Sequence, residues 1–182
     1  MTIPANKAQL KVKLESSPAQ VRRYFSELPG LLDSFSLDVA LAYVFARVEL
    51  AHNMALYCGV VKLHSANSEV ARSTIEAFHV TRDGFLEKFK MVFGRELPGD
   101  VVGLLRDAEK TRDKVMHGKK TRDSEKRQAL TNAIDYAGRF NVVVSSVGGF
   151  EPFGELRGFH GRGTSLSKAT TRWVLRGMGF QA

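Results

Sequence analysis

Apolar residues recur along much of the chain at steps of three and four, the spacing that lines one face of an α-helix. The longest run begins near Ser36. Leu37, Leu41, Val44, Val48, Ala51 and Ala55 predict an amphipathic core helix reaching Gly59 or beyond. Asn67 or Ser68 opens a second long helix, with Ile75, Phe78, Leu86, Phe89 and Phe93 on its apolar face. Gly84 marks a bend in it and Gly94 its C-terminal cap. Pro98-Gly99-Asp100 starts a third helix, with Val101, Leu104, Leu105, Ala108, Val115 and Met116 apolar, ending near His117-Gly118. After the charged connector Lys119-Lys120-Thr121-Arg122, Asp123 caps a fourth. Its seam is Leu130, Ala133, Ala137, Phe140, Val144 and Val147, and Gly148-Gly149 ends it. No strand-type alternation of useful length occurs in residues 17–149. The pattern predicts an all-α fold, an antiparallel four-helix bundle over 35–149.

The flanks read differently. Residues 1–34 are an N-terminal arm and a short helix. The first sixteen are polar and irregular, a strand or a loose arm. Ser17 then caps a helix with Pro18 at its first position and Gln20 completing a capping box. Val21, Phe25 and Leu28 share its face, and Pro29-Gly30 stops it. Residues 150–182 form a glycine-rich basic extension packed on the bundle. Ser165 or Ser167 caps a last short helix ending at Gly177, with Leu166, Thr170, Trp173 and Val174 on one face, and a strand at Thr171–Leu175 is the competing reading.

Composition narrows the class. With 43% hydrophobic and 25% charged residues in 182, the chain is globular rather than disordered. The single cysteine, Cys58, lies among apolar residues and reads as a buried thiol of a reducing compartment. The stretch Leu37 to Val61 is broken by Asp38, Arg47, Glu49, His52 and Asn53, a poor membrane span. The N-terminus lacks the apolar run of a signal peptide. The expectation is a soluble cytoplasmic protein with no membrane partner.

Net charge is +8 and uneven. Residues 106–128 carry nine basic against five acidic side chains, and 151–182 five against two. A localised basic excess points to a polyanion, nucleic acid first. Beyond charge, no recognition helix for DNA stands out. No phosphate-binding glycine loop and no zinc spacing occur. Glu49 and His52 share a helix face, but two ligands do not make a metal site. No cofactor is expected.

Three arginine–histidine pairs lie at short helical spacing: Arg47/His52, Arg72/His79 and Arg112/His117. Arg47 runs into Val48 within an apolar helix and reads as structural. Arg72 lies early in a helix that continues past His79. Only Thr111-Arg112-Asp113-Lys114-Val115-Met116-His117-Gly118 combines an acid after the arginine, a histidine at a helix end and a glycine behind it.

That segment resembles the Arg-x(4–6)-His signature of the HEPN superfamily, the helical domains of many metal-independent ribonucleases and toxins. The likeness extends to the helices over about 36–147 and implies a bundle of HEPN type. It further implies a homodimer with both motifs at its interface, RNA as substrate and an antitoxin protein as partner in toxin–antitoxin or defence systems. Arg112, His117 and Asp113 are then the catalytic candidates. A non-catalytic RNA-binding or assembly module is the alternative, because many superfamily members are such helpers. Lys119 stands where some family toxins paired with nucleotidyltransferase antitoxins carry a tyrosine, so that subgroup is not supported.

Geometry bears on the motif independently. Val101, Leu105, Ala108, Arg112 and Val115 form one stripe, and an arginine there needs a partner or a cleft. His117 follows at about 140° round an ideal helix. Either the helix relaxes at Gly118 or the site is assembled from two copies. Histidine suits proton transfer near neutrality, and the planar arginine fork suits a phosphorane. Lys114, Lys119, Lys120 and Arg122 beside the motif, and Arg157, His160 and Arg162 in the glycine-rich loop, are the RNA-binding candidates. Phe153, Phe159, Trp173 and Phe180 are interleaved with the basic residues of the extension. Trp173 and Phe180 read as packed back on the bundle.

Overall fold

The computed structural model describes residues 3–78, 81–161 and 163–182. Among them are nine helices and no strand, so the all-α expectation holds. His79 and Arg162 lie outside the described residues.

The N-terminal arm is helical. Helix α1 (Lys7–Glu15) is capped by Asn6, whose side chain accepts the Gln9 N–H, and it buries Leu10 and Leu14. These two leucines, four apart in a lysine-rich segment, are the whole apolar signal, too sparse to read as periodicity. Helix α2 (Ala19–Tyr24) follows Pro18 without a side-chain cap. The Ser17 hydroxyl instead donates to the Lys13 carbonyl, 3.0 Å away. Pro29-Gly30 does not stop a helix. It sits in the first turn of α3 (Leu28–Ser34), where proline's missing N–H costs nothing.

Helix α4 (Leu37–His64) buries the predicted stripe Leu37, Leu41, Val44, Val48, Ala51 and Ala55. Among the described residues it is the one helix long and apolar enough to cross a membrane, and half of its apolar window is buried in the protein. The predicted second long helix is two: α5 (Ser68–Glu76), capped by Asn67, and α6 (Arg82–Phe93), capped by Thr81. Gly84 therefore lies in the first turn of α6, donating its N–H to the Thr81 hydroxyl, rather than at a bend. Gly94 closes α6 in the left-handed conformation, φ +69°. Helix α7 (Gly99–Met116), helix α8 (Asp123–Gly148) and helix α9 (Lys168–Gly177, capped by Ser167) complete the order.

The chain divides into two compact units, neither continuous in sequence. One comprises Met1–Val48, Pro98–Asn141 and Phe153–Glu155; the other Glu49–Leu97, Val142–Pro152 and Leu156–Ala182. Helices α4 and α8 supply residues to both. In the first unit, Phe153 is fully buried against the rings of Tyr24, Phe25, Tyr136 and Phe140. Asn141 fixes it by pairing its amide with both backbone groups of Phe153, at 2.7 and 2.8 Å. In the second unit, Phe85, Phe89, Phe93 and Phe150 form a chain of ring contacts. Lys62 donates to the carbonyls of Gly149 and Gly158, each at 3.0 Å, and ties down the turn after α8.

Candidate functional site

The first unit carries the motif at the end of α7. Val101, Leu105 and Ala108 bury the stripe, and Arg112 continues it at the point where the helix leaves the core. Its guanidinium carbon lies 5.1 Å from the centre of the buried Phe45 ring on α4. Such a contact is worth about 0.5–2 kcal/mol, depending on desolvation. One guanidinium nitrogen stands 3.4 Å from the Asp113 carboxylate, with the arginine side chain 30% exposed. Arg112 is thus held with part of its fork reaching solvent.

Helix α7 ends in a Schellman turn. Gly118 adopts φ +65°, the Lys119 N–H reaches the Lys114 carbonyl at 2.8 Å and the Gly118 N–H reaches Val115 at 2.9 Å. The backbone satisfies these carbonyls itself, so the His117 ring has no capping duty. His117 is exposed at the C-cap, and its ring makes no hydrogen bond or ion pair among the described residues. Within one chain no hydrogen bond joins the Arg112 and His117 side chains. Asp113 touches Arg112 and not the histidine ring. Met116, between them, is an exposed apolar side chain.

The surrounding cations fall into two sets. Lys114 and Arg122 share Glu125, at 3.4 and 3.2 Å. The Arg122 N–H also donates to that carboxylate at 3.0 Å, so Glu125 ties down the start of α8 beside Asp123. These bonds hold Glu125 below its ordinary titration range, the Arg122 N–H most strongly, then the Arg122 side chain and Lys114. Lys119 and Lys120 are exposed and have no ion pair among the described residues. Lys126 and Arg127 are engaged in structure, with Asp38 and the Pro4 carbonyl respectively.

Arg157 and His160 lie exposed on the second unit. Their loop turns at Gly158, φ +83°, where a Cβ would meet the Gly149 carbonyl oxygen at 2.6 Å. The Glu151 N–H donates to the Arg157 carbonyl and closes the loop. The third candidate of this loop, Arg162, lies outside the described residues.

The competing Arg47/His52 pair is built into the protein. Arg47 stacks 4.0 Å from the Tyr24 ring and donates to the Tyr24 carbonyl, while the Tyr24 hydroxyl donates to the Arg47 carbonyl. Burial pushes the Tyr24 hydroxyl up to about 12, with Arg47 opposing. His52 is buried and stacked on Phe85 at 3.8 Å, and burial pushes its pKa down to about 3. Burial likewise drives the Cys58 thiol up to about 12, against the weaker pull of Lys62, so it is no ready nucleophile. Among the described residues no group of three His, Cys, Asp or Glu could hold a metal ion.

Sequence reasoning misplaced one ring. Phe180 is buried against Phe78, as read, but Trp173 is 78% exposed. Helix α9 buries Thr171, Leu175 and then Met178, a face turned away from the predicted set that included Thr170 and Trp173. The signal available was Thr171-x3-Leu175, a threonine and a leucine four apart, overshadowed by the larger indole.

No protein-family model, curated protein or solved structure matches the chain.

Proposed function

We propose that the protein is a metal-independent endoribonuclease of HEPN type whose site is completed when two copies meet at the end of α7. The observation that carries this reading is a pair at one helix end: Arg112, held over Phe45 with its fork part-exposed, and His117, exposed with its ring unengaged. The five-residue separation keeps them apart on one helix, and a symmetric partner supplies the missing proximity. The resemblance of residues 111–118 to the HEPN signature points the same way.

In the reaction, the RNA 2′-hydroxyl attacks the adjacent phosphorus. A His117 imidazole takes the hydroxyl proton as the P–O2′ bond forms. The P–O5′ bond then breaks, and the departing oxygen receives a proton from the second protomer's histidinium. Products are a 2′,3′-cyclic phosphate and a 5′-hydroxyl. Arg112 stabilises the dianionic phosphorane, Asp113 positions that guanidinium, and Lys119 and Lys120 draw in the phosphate backbone. A toxin or defence role, with an antitoxin protein as partner, follows the same resemblance.

A second reading, an RNA-binding or assembly module, is favoured by one fact: Arg112 already has Phe45 and Asp113 as neighbours. The two separate on His117→Ala. The enzyme reading predicts that single-stranded RNA is cut with a chelator present and that this variant loses about 10²–10⁴ in rate. Cleavage unchanged in that variant discards the enzyme reading of this site.

A further inference from the structure

The outward face of α9 bears a large apolar ring with nothing packed over most of it. Trp173 is the most exposed of the large hydrophobic side chains among the described residues. The helix register makes this a fixed feature. Ser167 caps the first turn through the Thr170 N–H, the Asn67 N–H donates to the Thr171 hydroxyl at 2.9 Å, and Leu175 is fully buried. With that face inward, Trp173 points out.

The neighbours of Trp173 on the helix are cationic or small. α9 contains Lys168, Arg172 and Arg176 and no acid. Lys168 is joined to Glu69 at 2.6 Å and Arg176 to the Ala182 carbonyl, while Arg172, next to Trp173 in sequence, is exposed. One turn to either side of Trp173 stand Ala169 and Gly177, and a Cβ built at Gly177 meets nothing within 4 Å. A planar ring lying on the indole would therefore find little to clash with.

We propose that this face binds single-stranded RNA, one base stacking on Trp173 while Arg172 and Arg176 meet the flanking phosphates. The proposal deepens the RNA reading given above and rests on it. Stacking of a base on an exposed aromatic contributes about 1–3 kcal/mol, and flanking cations suit a polyanion. A membrane-surface helix would instead need a broad apolar face, whereas Thr170, Ala169 and Gly177 around the lone indole provide none. Acidic protein partners would satisfy the arginines but leave the indole without a planar counterpart.

Trp173 is the single tryptophan of the chain, so intrinsic fluorescence reports on this site alone. The probe is a 2′-O-methyl oligouridylate about twelve nucleotides long, which cannot be cut by 2′-hydroxyl attack. Titration should quench the emission to saturation, and added salt should reverse it. By anisotropy of the labelled oligomer, Trp173→Ala should weaken binding about 5–150-fold, and Trp173→Phe much less. Arg172→Ala/Arg176→Ala should flatten the salt dependence. Binding with unchanged emission, and unaltered in Trp173→Ala, overturns the α9 assignment while leaving RNA binding elsewhere intact. No binding at all overturns it together with the RNA reading. Emission shifted by anionic phosphatidylserine vesicles but not by the oligomer assigns the face to a membrane surface.

Discussion

The guanidinium of Arg112 rests 5.1 Å from the centre of the Phe45 ring, so the apolar stripe of α7 continues through a charged residue without burying an isolated charge. The contact uses the ring face for one side of the fork and leaves part of the other to solvent. A structural arginine and a reactive one differ in what their removal does. Arg112→Ala should lower stability by about 1–2 kcal/mol, about 2–4 °C in melting temperature for each kcal/mol. It should lower RNA cleavage by about 10²–10³. Calorimetry beside a rate assay checks both, and a variant that does not fold would assign Arg112 to structure alone.

A composite site makes a specific demand on mixtures. Light scattering should give about 40 kDa for the protein, twice the 20.2 kDa chain. Parent chains co-refolded with an excess of His117→Ala chains should lose activity as the square of the parent fraction, because a mixed dimer keeps one histidine where the reaction uses two. Activity that falls only in proportion to the parent fraction would place the whole reaction on a single chain.

Much of the helical pattern was legible in the sequence. The stripes of α4 and α7, the αL cap at Gly94 and the end of α7 at His117-Gly118 follow from periodicity and local backbone chemistry. Helix α1 was not, because Leu10 and Leu14 alone mark its buried side. The split between α5 and α6 was hidden by aromatic residues that continue through it in sequence. The candidate pair was visible as a motif, but Phe45 as the seat of Arg112 was not, since a contact between helices sixty-seven positions apart leaves no local mark. Trp173 misled because size suggested burial, while the small Thr171 and Leu175 set the register.

Arg47 offers the contrast. Its stack on Tyr24 and the hydrogen bond its guanidinium donates to the Tyr24 carbonyl should make Arg47→Ala cost about 1–3 kcal/mol, while the Tyr24 hydroxyl keeps the residue-47 carbonyl as acceptor. Urea titration measures this. Cleavage per folded molecule should remain that of the parent protein.

Acid stability should report on His52. Its folded pKa, about 3, lies below the ordinary 6.5, so the unfolded chain binds the extra proton between these values. Stability is therefore full above about pH 6.5 and falls as pH drops toward 3, by at most about 1.4 kcal/mol per unit from this group. His52→Phe keeps a flat ring on Phe85 and should flatten that limb. An unchanged acid limb would assign the loss to other groups.

Lys119 and Lys120 flank His117 with no ion pair among the described residues, which leaves them available to phosphates. Replacing both by alanine should reduce the slope of log affinity against log salt by about 0.7 per lost single-strand contact. Lys114 and Arg122, which share Glu125, should contribute less. Equal slopes in all variants would exclude this corner from binding.

The most direct measurement is the chemistry of the cut. Single-stranded RNA is incubated with the purified protein in excess chelator, alongside the same sequence with every 2′-hydroxyl methylated, and the product ends are identified by mass. Fragments ending in 2′,3′-cyclic phosphate are expected from the first substrate, none from the second, and about 10²–10⁴-fold more slowly from the first with His117→Ala. Cleavage of the methylated strand, cutting that requires added divalent metal, or undiminished cleavage by that variant would contradict this chemistry.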